Sequence, residues 1–358
     1  MFARIKLLLR ERILTGELQP GAKLPSIAEL SASHHVSAIT VRRALNDLMM
    51  EGLVVGEQGK GTFVATPTPG APSTTAANGT RLVGLLIPDL VQSPFFASIL
   101  RGVGEILPEA RLIVSDSNLD LAREAELLAR FAREGISDVL WTPVTGARDA
   151  AADHTLSQTT GTIVCIDRHV PGLPFDRVSS DNVAVGRLAA EHLLSLGHRQ
   201  IAFVYAHPCL TFDDRLNGFH HALAAHGIAP SPALVRGGWN SRHDYEEVGY
   251  LRTLELFHLN PRPTAMVAGN EAIAFGILRA CRFLGVVVPQ ALSVVSVDDL
   301  QATLATPALT SIHQPTIEMG RMAARLLKER WLNRNGPPRS ELLPVRLVVR
   351  DSTTAVAK

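Results

Sequence analysis

The sequence predicts a two-part α/β protein: a small winged helix-turn-helix at the N-terminus, then a much larger, two-lobed domain with doubly wound parallel sheets. Three observations predict it. Residues Leu24 to Val64 read as helix, tight turn, second helix and a short two-strand wing. Residues 66–80, TPTPGAPSTTAANGT, are dominated by Pro, Gly, Ser, Thr and Ala and can build no core, so they read as a flexible linker. From Arg81 onward, apolar strand runs alternate with amphipathic helical runs, the pattern of parallel strands joined by crossover helices. The expected domains are therefore 1–65, a linker at 66–80, and 81–358.

The head follows from local chemistry. Ser26 and Glu29 form a capping box, so a helix starts at Ile27. Ser37 is a good N-cap for the next helix, in which Val41, Leu45, Leu48 and Met49 make one apolar stripe. Thr40, Arg42, Arg43, Asn46 and Asp47 lie off the stripe and face outward, and Gly52 stops the helix. Leu53-Val54-Val55 and Thr62-Phe63-Val64 pair as a hairpin around Gly59-Lys60-Gly61. An amphipathic helix with a charged face is common in small helical domains; the turn, the wing and its glycine tip together point to DNA.

Residues 4–65 resemble the GntR-type winged-helix domain through LPS, VS, TVRRAL, EGL and GKGTFV, in order and at the right spacing. The resemblance implies major-groove contacts from Ser37, Thr40, Arg42 and Arg43, and a minor-groove or phosphate contact from Gly59 and Lys60. It departs at Ala28 and Ala38, where members often carry arginine or a polar residue, so the operator preference is open. The opening Met1-Phe2-Ala3 clips the first helix, which leaves room for an upstream start codon. The head carries eight Lys/Arg against six Asp/Glu, a balance of +2. One such head binds DNA weakly, so a homodimer on palindromic double-stranded DNA is expected.

The chain of 358 residues is 46% hydrophobic with net charge +1, enough for a large core and two or three domains. Three scattered cysteines, Cys165, Cys209 and Cys281, fit a reducing cytoplasm and argue against a disulfide framework or a zinc site. No secretory signal or membrane-spanning run is visible, so a cytoplasmic protein with no membrane partner is expected.

In the body, RLVGLLIPDL, RLIVSDS, SDVLWTPV, GTIVCIDR, QIAFVYA, ALVRGGW, TAMVAGN and LSVVSVDD read as strands, with helices between them; LAREAELLARFAREG closes on Gly135. Ligands of such folds bind beyond the carboxyl ends of the strands, where Ser93, Asp167, Arg215, Trp239, Asn270 and Asp298 stand.

Residues 82–352 resemble the sensor domain of the LacI/GalR family, which is related to periplasmic sugar-binding proteins. The carrying motifs are SPFF, CIDRH, SSDN, LGHRQIAFV, DRLNGF, NEAIAFG, SVVSVDDL, TSIHQP and VRDST. The resemblance implies a first lobe of about 81–178 plus 310–335, and a second of about 180–308 plus the C-terminal strand. It implies that Arg215, Asn270 and Asp298 are the hydrogen-bonding core of an effector pocket, with Asp167 and Phe95 beside them, Gln314 at the lobe crossover in reach of the ligand, and Trp239 stacking on the ligand. Taken singly, Trp239 could be core, the aspartates could be turn residues, and Arg215 could pair with Asp213 or Asp214. Ser296-Val297 and Pro208-Cys209 depart from the family pattern, which leaves ligand identity open. The family's hinge helix has no counterpart, and the linker takes its place, as in arabinose-repressor-type chimeras of a GntR head and a LacI/GalR body.

Catalysis is the rival class. Gly102-Val103-Gly104 lacks the third glycine of a dinucleotide fingerprint, and no GxSxG, Walker A or HExxH occurs. Adjacent His220 and His221 point apart on a helix and make a poor metal pair. The reading is a transcriptional repressor, not an enzyme, without cofactor or metal. Its expected partners are operator DNA and a small effector: a sugar, with a purine or nucleoside, or a co-repressor role for the ligand, as the alternative.

Overall fold

The computed structural model describes residues 5–6, 8–9, 12–13, 18–19, 21–34, 36–50, 53–57, 61–64, 80–90, 94–146, 161–237, 244–333 and 336–356. The linker up to Asn78-Gly79, and also Gly52, Gly59, Lys60, Ser93 and Trp239, lie outside the described residues. Two compact units emerge, one holding residues 1–72 and the other residues 73–330 and 335–358.

In the first unit, α1 (Ile27–His34) and α2 (Ala38–Met50) precede the antiparallel hairpin of β1 (Val54–Glu57) and β2 (Gly61–Val64). The capping box is reciprocal: Ser26 N donates to Glu29 Oε2 at 2.7 Å, and Glu29 N to Ser26 Oγ at 3.2 Å. Ser37 Oγ accepts from Thr40 N at 3.3 Å and so caps α2. Val41, Ala44, Leu45 and Leu48 are buried against Ile5, Leu9, Leu24, Leu30, Val54 and Val64. Met49 departs from the expected stripe. It sits at the exposed edge, with its thioether close over the backbone of Gly56, because i+8 overshoots the narrow face covered by so small a domain.

The second unit has two lobes. The first is a six-stranded, all-parallel sheet in the order β13-β7-β6-β5-β3-β4. It is built from β3 (Leu82–Ile87), β4 (Arg111–Asp116), β5 (Asp138–Trp141), β6 (Thr162–Ile166), β7 (Asp176–Ser180) and β13 (Ser340–Leu343). Its helices include α3 (Pro94–Ile106), α4 (Leu121–Arg133) and α9 (Thr316–Arg330). As expected, Gly135 follows the end of α4, at φ 75. The second lobe orders its strands β14-β12-β11-β10-β8-β9, parallel except for β14. They are β8 (Ile201–Val204), β9 (Val235–Arg236), β10 (Ala265–Ala268), β11 (Ser293–Val297), β12 (Thr310–His313) and β14 (Arg346–Val348). With them go α5 (Asn182–Ser195), α6 (Leu210–Ala225), α7 (Tyr245–Phe257) and α8 (Glu271–Leu284).

Two expectations need correction. The strand read from ALVRGGW shrinks to two residues, because Pro232–Leu234 takes a 3-10 turn. Thr310–His313 belongs to the second lobe, not the first: β12 completes the parallel ladder beside β11, and the chain crosses back only at Gln314-Pro315. The other two crossovers fall between β7 and α5 and between β13 and β14.

Glycines set the helix spacing that the site depends on. A Cβ on Gly186 of α5 would overlap the carbonyl oxygen of Arg215 in α6, and one on Gly218 would overlap that of Val183. Backbones therefore touch where α5 crosses α6. Far from the cleft, Arg330 grips Asp176 bidentately (Nε to Oδ2 2.7 Å, Nη2 to Oδ1 2.6 Å) and donates to the carbonyls of Gly336 and Pro337. The pair pins the segment that leads into β13.

Candidate DNA-binding and effector sites

In the head, Ser37, Thr40, Arg42 and Arg43 stand at or near the start of α2, the two arginines exposed and Thr40 partly so. Thr40 Oγ1 lies 2.9 Å from Ser37 Oγ, so two of the expected contact residues form one small polar cluster. Lys6 and Asp47 form an ion pair at 3.6 Å on the same domain.

In the body, a single cavity between the lobes is lined by Phe95, Asp167, Arg215, Asn270, Asp298 and Gln314. These are the six described members of the expected effector set. They come from different strand ends: Asp167 follows β6, Asn270 follows β10, Asp298 follows β11 and Gln314 occupies a crossover. Two of them adopt left-handed backbone, Asp167 at φ 66 and Asp298 at φ 75, which turns their side chains off the strand ends.

Arg215 is buried in α6, and its geometry excludes the ordinary ion pair with Asp213 or Asp214. Its Nε donates to Asn182 Oδ1 at 2.8 Å and its Nη1 to the Gly269 carbonyl at 2.7 Å. Asn270 caps α8 by accepting from Ile273 N at 2.9 Å, which engages its carbonyl oxygen and leaves the amide nitrogen to donate. Gln314 donates from Nε2 to Asp298 Oδ1 at 2.5 Å. Burial raises the Asp298 carboxyl above its usual range, against the pull of the Arg215 charge and the Gln314 hydrogen bond. Burial likewise raises Asp167, opposed by Arg168 and Arg215.

Residues with no role in the sequence reading complete the site. Arg168, partly buried in the lining of the cavity, holds Asp167 Oδ2 at 3.5 Å from its Nε. Its Nε and Nη1 have no hydrogen-bond partner, nor do Asp167 Oδ1 and Gln314 Oε1. Glu271 accepts from Leu300 N at 3.1 Å and Gln301 N at 2.9 Å, and so fastens the loop that follows Asp298. Burial moves its carboxyl from the usual 4.5 to about 7, and the nearby Asp298 adds to the rise. His207, partly buried beside the Tyr245 ring, is lowered to about 4 by burial and by the Arg168 charge. The CIDRH, NEAIAFG and SSDN motifs held Arg168, Glu271 and Asn182 in plain sight. No periodicity marks a charged or amide side chain as part of a cavity wall, so only the closed tertiary structure shows their part.

The phenyl rings of Phe95 and Phe96 meet edge to face, at 84° with centroids 5.3 Å apart. They offer no parallel pair of faces for a flat base.

Comparisons with known proteins identify the family. Residues 2–64 match the model of bacterial regulatory proteins of the gntR family, and residues 190–353 match that of the periplasmic binding protein-like domain. The arabinose metabolism transcriptional repressor of Geobacillus stearothermophilus is 31% identical over 351 residues, spanning 96% of this chain and 95% of that one. The chain belongs to the family of transcriptional repressors that join a GntR head to a LacI-type sensor. A second GntR–LacI repressor with the same name, from Halalkalibacterium halodurans, is 29% identical over 98% of this chain and 95% of its own. Among solved structures, a LacI family regulator from Enterococcus faecium with bound ribose is 29% identical, covers 77% of this chain and all of its own, and superposes with a TM-score of 0.68. Members of this GntR–LacI family are regulators, which removes the catalytic alternative. Among the described residues, no helix is long and apolar enough to cross a membrane.

Proposed function

We propose that this repressor binds an uncharged monosaccharide in the cleft between its lobes, and acts as a homodimer on a palindromic operator. One observation carries the ligand class: among the residues lining one cavity, a donor without a hydrogen-bond partner (Arg168 Nη1) occurs together with acceptors without one (Asp167 Oδ1 and Gln314 Oε1). A sugar hydroxyl both donates and accepts and can satisfy the two sets together, whereas a phosphate only accepts. Asp89, Asp167, Glu271 and Asp298 outnumber Arg168 and Arg215 in the lining, which disfavours a phosphorylated sugar. The ribose in the Enterococcus faecium relative supports a pentose as the first choice.

In this reading Arg215, Asn270, Asp298, Asp167 and Gln314 bind hydroxyls, Phe95 covers an apolar ring face, and Trp239 stacks on the other. Ser37, Thr40, Arg42 and Arg43 enter the major groove, with Gly59 and Lys60 on the wing. Exposed Phe283, Leu284 and Val287 at the end of α8 support a second copy as the partner of that face. Sugar binding draws the lobes together and changes the spacing of the two heads, and with it operator affinity.

The test is a thermal-shift screen of the full chain against pentoses, hexoses, their phosphates and purines. A sugar at about 100 times its dissociation constant should add about 2.7 kcal/mol of stability. The shift should vanish in Arg215→Ala. Stabilisation by a purine or a sugar phosphate alone would sink the proposal.

A further inference from the structure

Residues 21–24 do more than lead into α1. They run along the edge of β2 that β1 leaves open. Gly21 N donates to the Val64 carbonyl at 2.9 Å, Val64 N to that of Ala22 at 2.8 Å, and Leu24 N to that of Thr62 at 2.8 Å. Lys23 bridges to Phe63. β2 is thus held on both sides, and Lys23 is exposed on the outer edge. A Cβ built on Gly61 would stand 2.9 Å from Lys23 Cε and 3.7 Å from its Nζ. Gly61, at φ 123, is glycine for its backbone, and its bare Cα also makes room for the lysine stem.

The lysine therefore lies along the strand with its ammonium over Gly61, the first residue of β2. Lys23 forms no ion pair with a described residue. Glu29, the acid that feels its charge, is already engaged by Ser26 N at 2.7 Å. Lys23 thereby brings a cation to the hairpin from outside it.

We propose that Lys23 is a phosphate-contacting residue of the DNA interface, set in place by Gly61. This rests on the reading of the head as an operator-binding domain. A lysine ammonium is a point charge with freely turning donors, so the contact is to the phosphodiester backbone and carries no sequence preference.

The experiment uses the full chain and a duplex that the full chain selects from a random-sequence pool. Affinity is followed by fluorescence anisotropy as salt rises. Lys23→Met keeps the stem over Gly61 and removes only the charge. It should lower the slope of log affinity against log salt by about 0.9 for each head bound, leaving the ratio of selected to scrambled duplex unchanged. Lys23→Gln should match it, and Lys23→Arg should restore the slope. An unchanged slope in Lys23→Met and Lys23→Gln, with melting temperatures held, would overturn the proposal and mark Lys23 as a solvated surface residue. A full chain that selects no duplex, or whose Arg42→Ala variant binds the selected duplex normally, would instead overturn the reading of the head.

Discussion

Arg215 and Asn182 are joined by a 2.8 Å hydrogen bond from guanidinium to side-chain carbonyl, and Asn182 is the first residue of α5 after the chain crosses between lobes. Asn182 Nδ2 in turn donates to the Ser180 carbonyl at the end of β7, at 3.2 Å. A group that faces the cavity is therefore bonded to one of the three strands of chain that must bend if the lobes move.

Asn182→Ala should weaken binding of the stabilising sugar by about tenfold, because a buried guanidinium N–H left without its partner costs about 1–3 kcal/mol. Titration calorimetry on the full chain measures it. Unchanged affinity would mean that Gly269 alone orients Arg215.

Arg42→Ala should abolish preference for operator over scrambled duplex while leaving sugar binding and melting temperature as they were, since Arg42 is exposed on α2. Anisotropy titrations with both duplexes decide it. Full retention of preference would remove Arg42 from the recognition surface.

Glu271 makes stability depend on pH. Its carboxyl is raised from 4.5 to about 7 in the folded protein, so between these values the folded chain holds a proton that the unfolded chain has lost. Its contribution is therefore fully present below about pH 4.5 and is lost as pH rises toward 7. Glu271→Gln, which cannot ionise, should flatten that decline in a series of thermal melts. A slope identical to that of the parent chain would show that other groups carry it.

Gly186→Ala should be strongly destabilising, by about 1–3 kcal/mol or more, because the added methyl meets the Arg215 carbonyl where the two helices touch. It should also weaken sugar binding by shifting Arg215. Denaturant unfolding with and without sugar separates the two effects, and a full-strength sugar response in a destabilised variant would uncouple helix spacing from the site.

Much of this site could be read beforehand because its residues follow strands, where an apolar run ends on a polar residue. Asp167, Asn270 and Asp298 all stand there, and Arg215 sits within DRLNGF. What stayed hidden depended on closure. Arg168 looks like any charged neighbour until tertiary packing draws it into the cavity wall, and Glu271 gains its role from a loop thirty residues on. β7 and β13 were also illegible. Asp176–Ser180 alternates buried and partly exposed residues, and Ser340–Leu343 is a four-residue edge strand with Leu342 exposed, so neither carries the continuous apolar signal of β5 or β6. TSIH reads equally well in either sheet, so the sequence shows the crossover at Gln314 but not on which side of it Thr310–His313 falls.

The position of β13 has a consequence for biosynthesis. The first lobe begins at Leu82, but its last strand is Ser340–Leu343, synthesised after nearly all of the second lobe. Until then β7 presents an unpaired edge, and neither Asp176 nor the segment pinned by Arg330 has its full set of partners. A ribosome releasing this chain from its N-terminus completes the head first and can finish the first lobe only near the end. A nascent chain stalled anywhere in the second lobe would therefore carry a DNA-binding head on an unfinished sensor, with an open sheet edge for chaperones to cover.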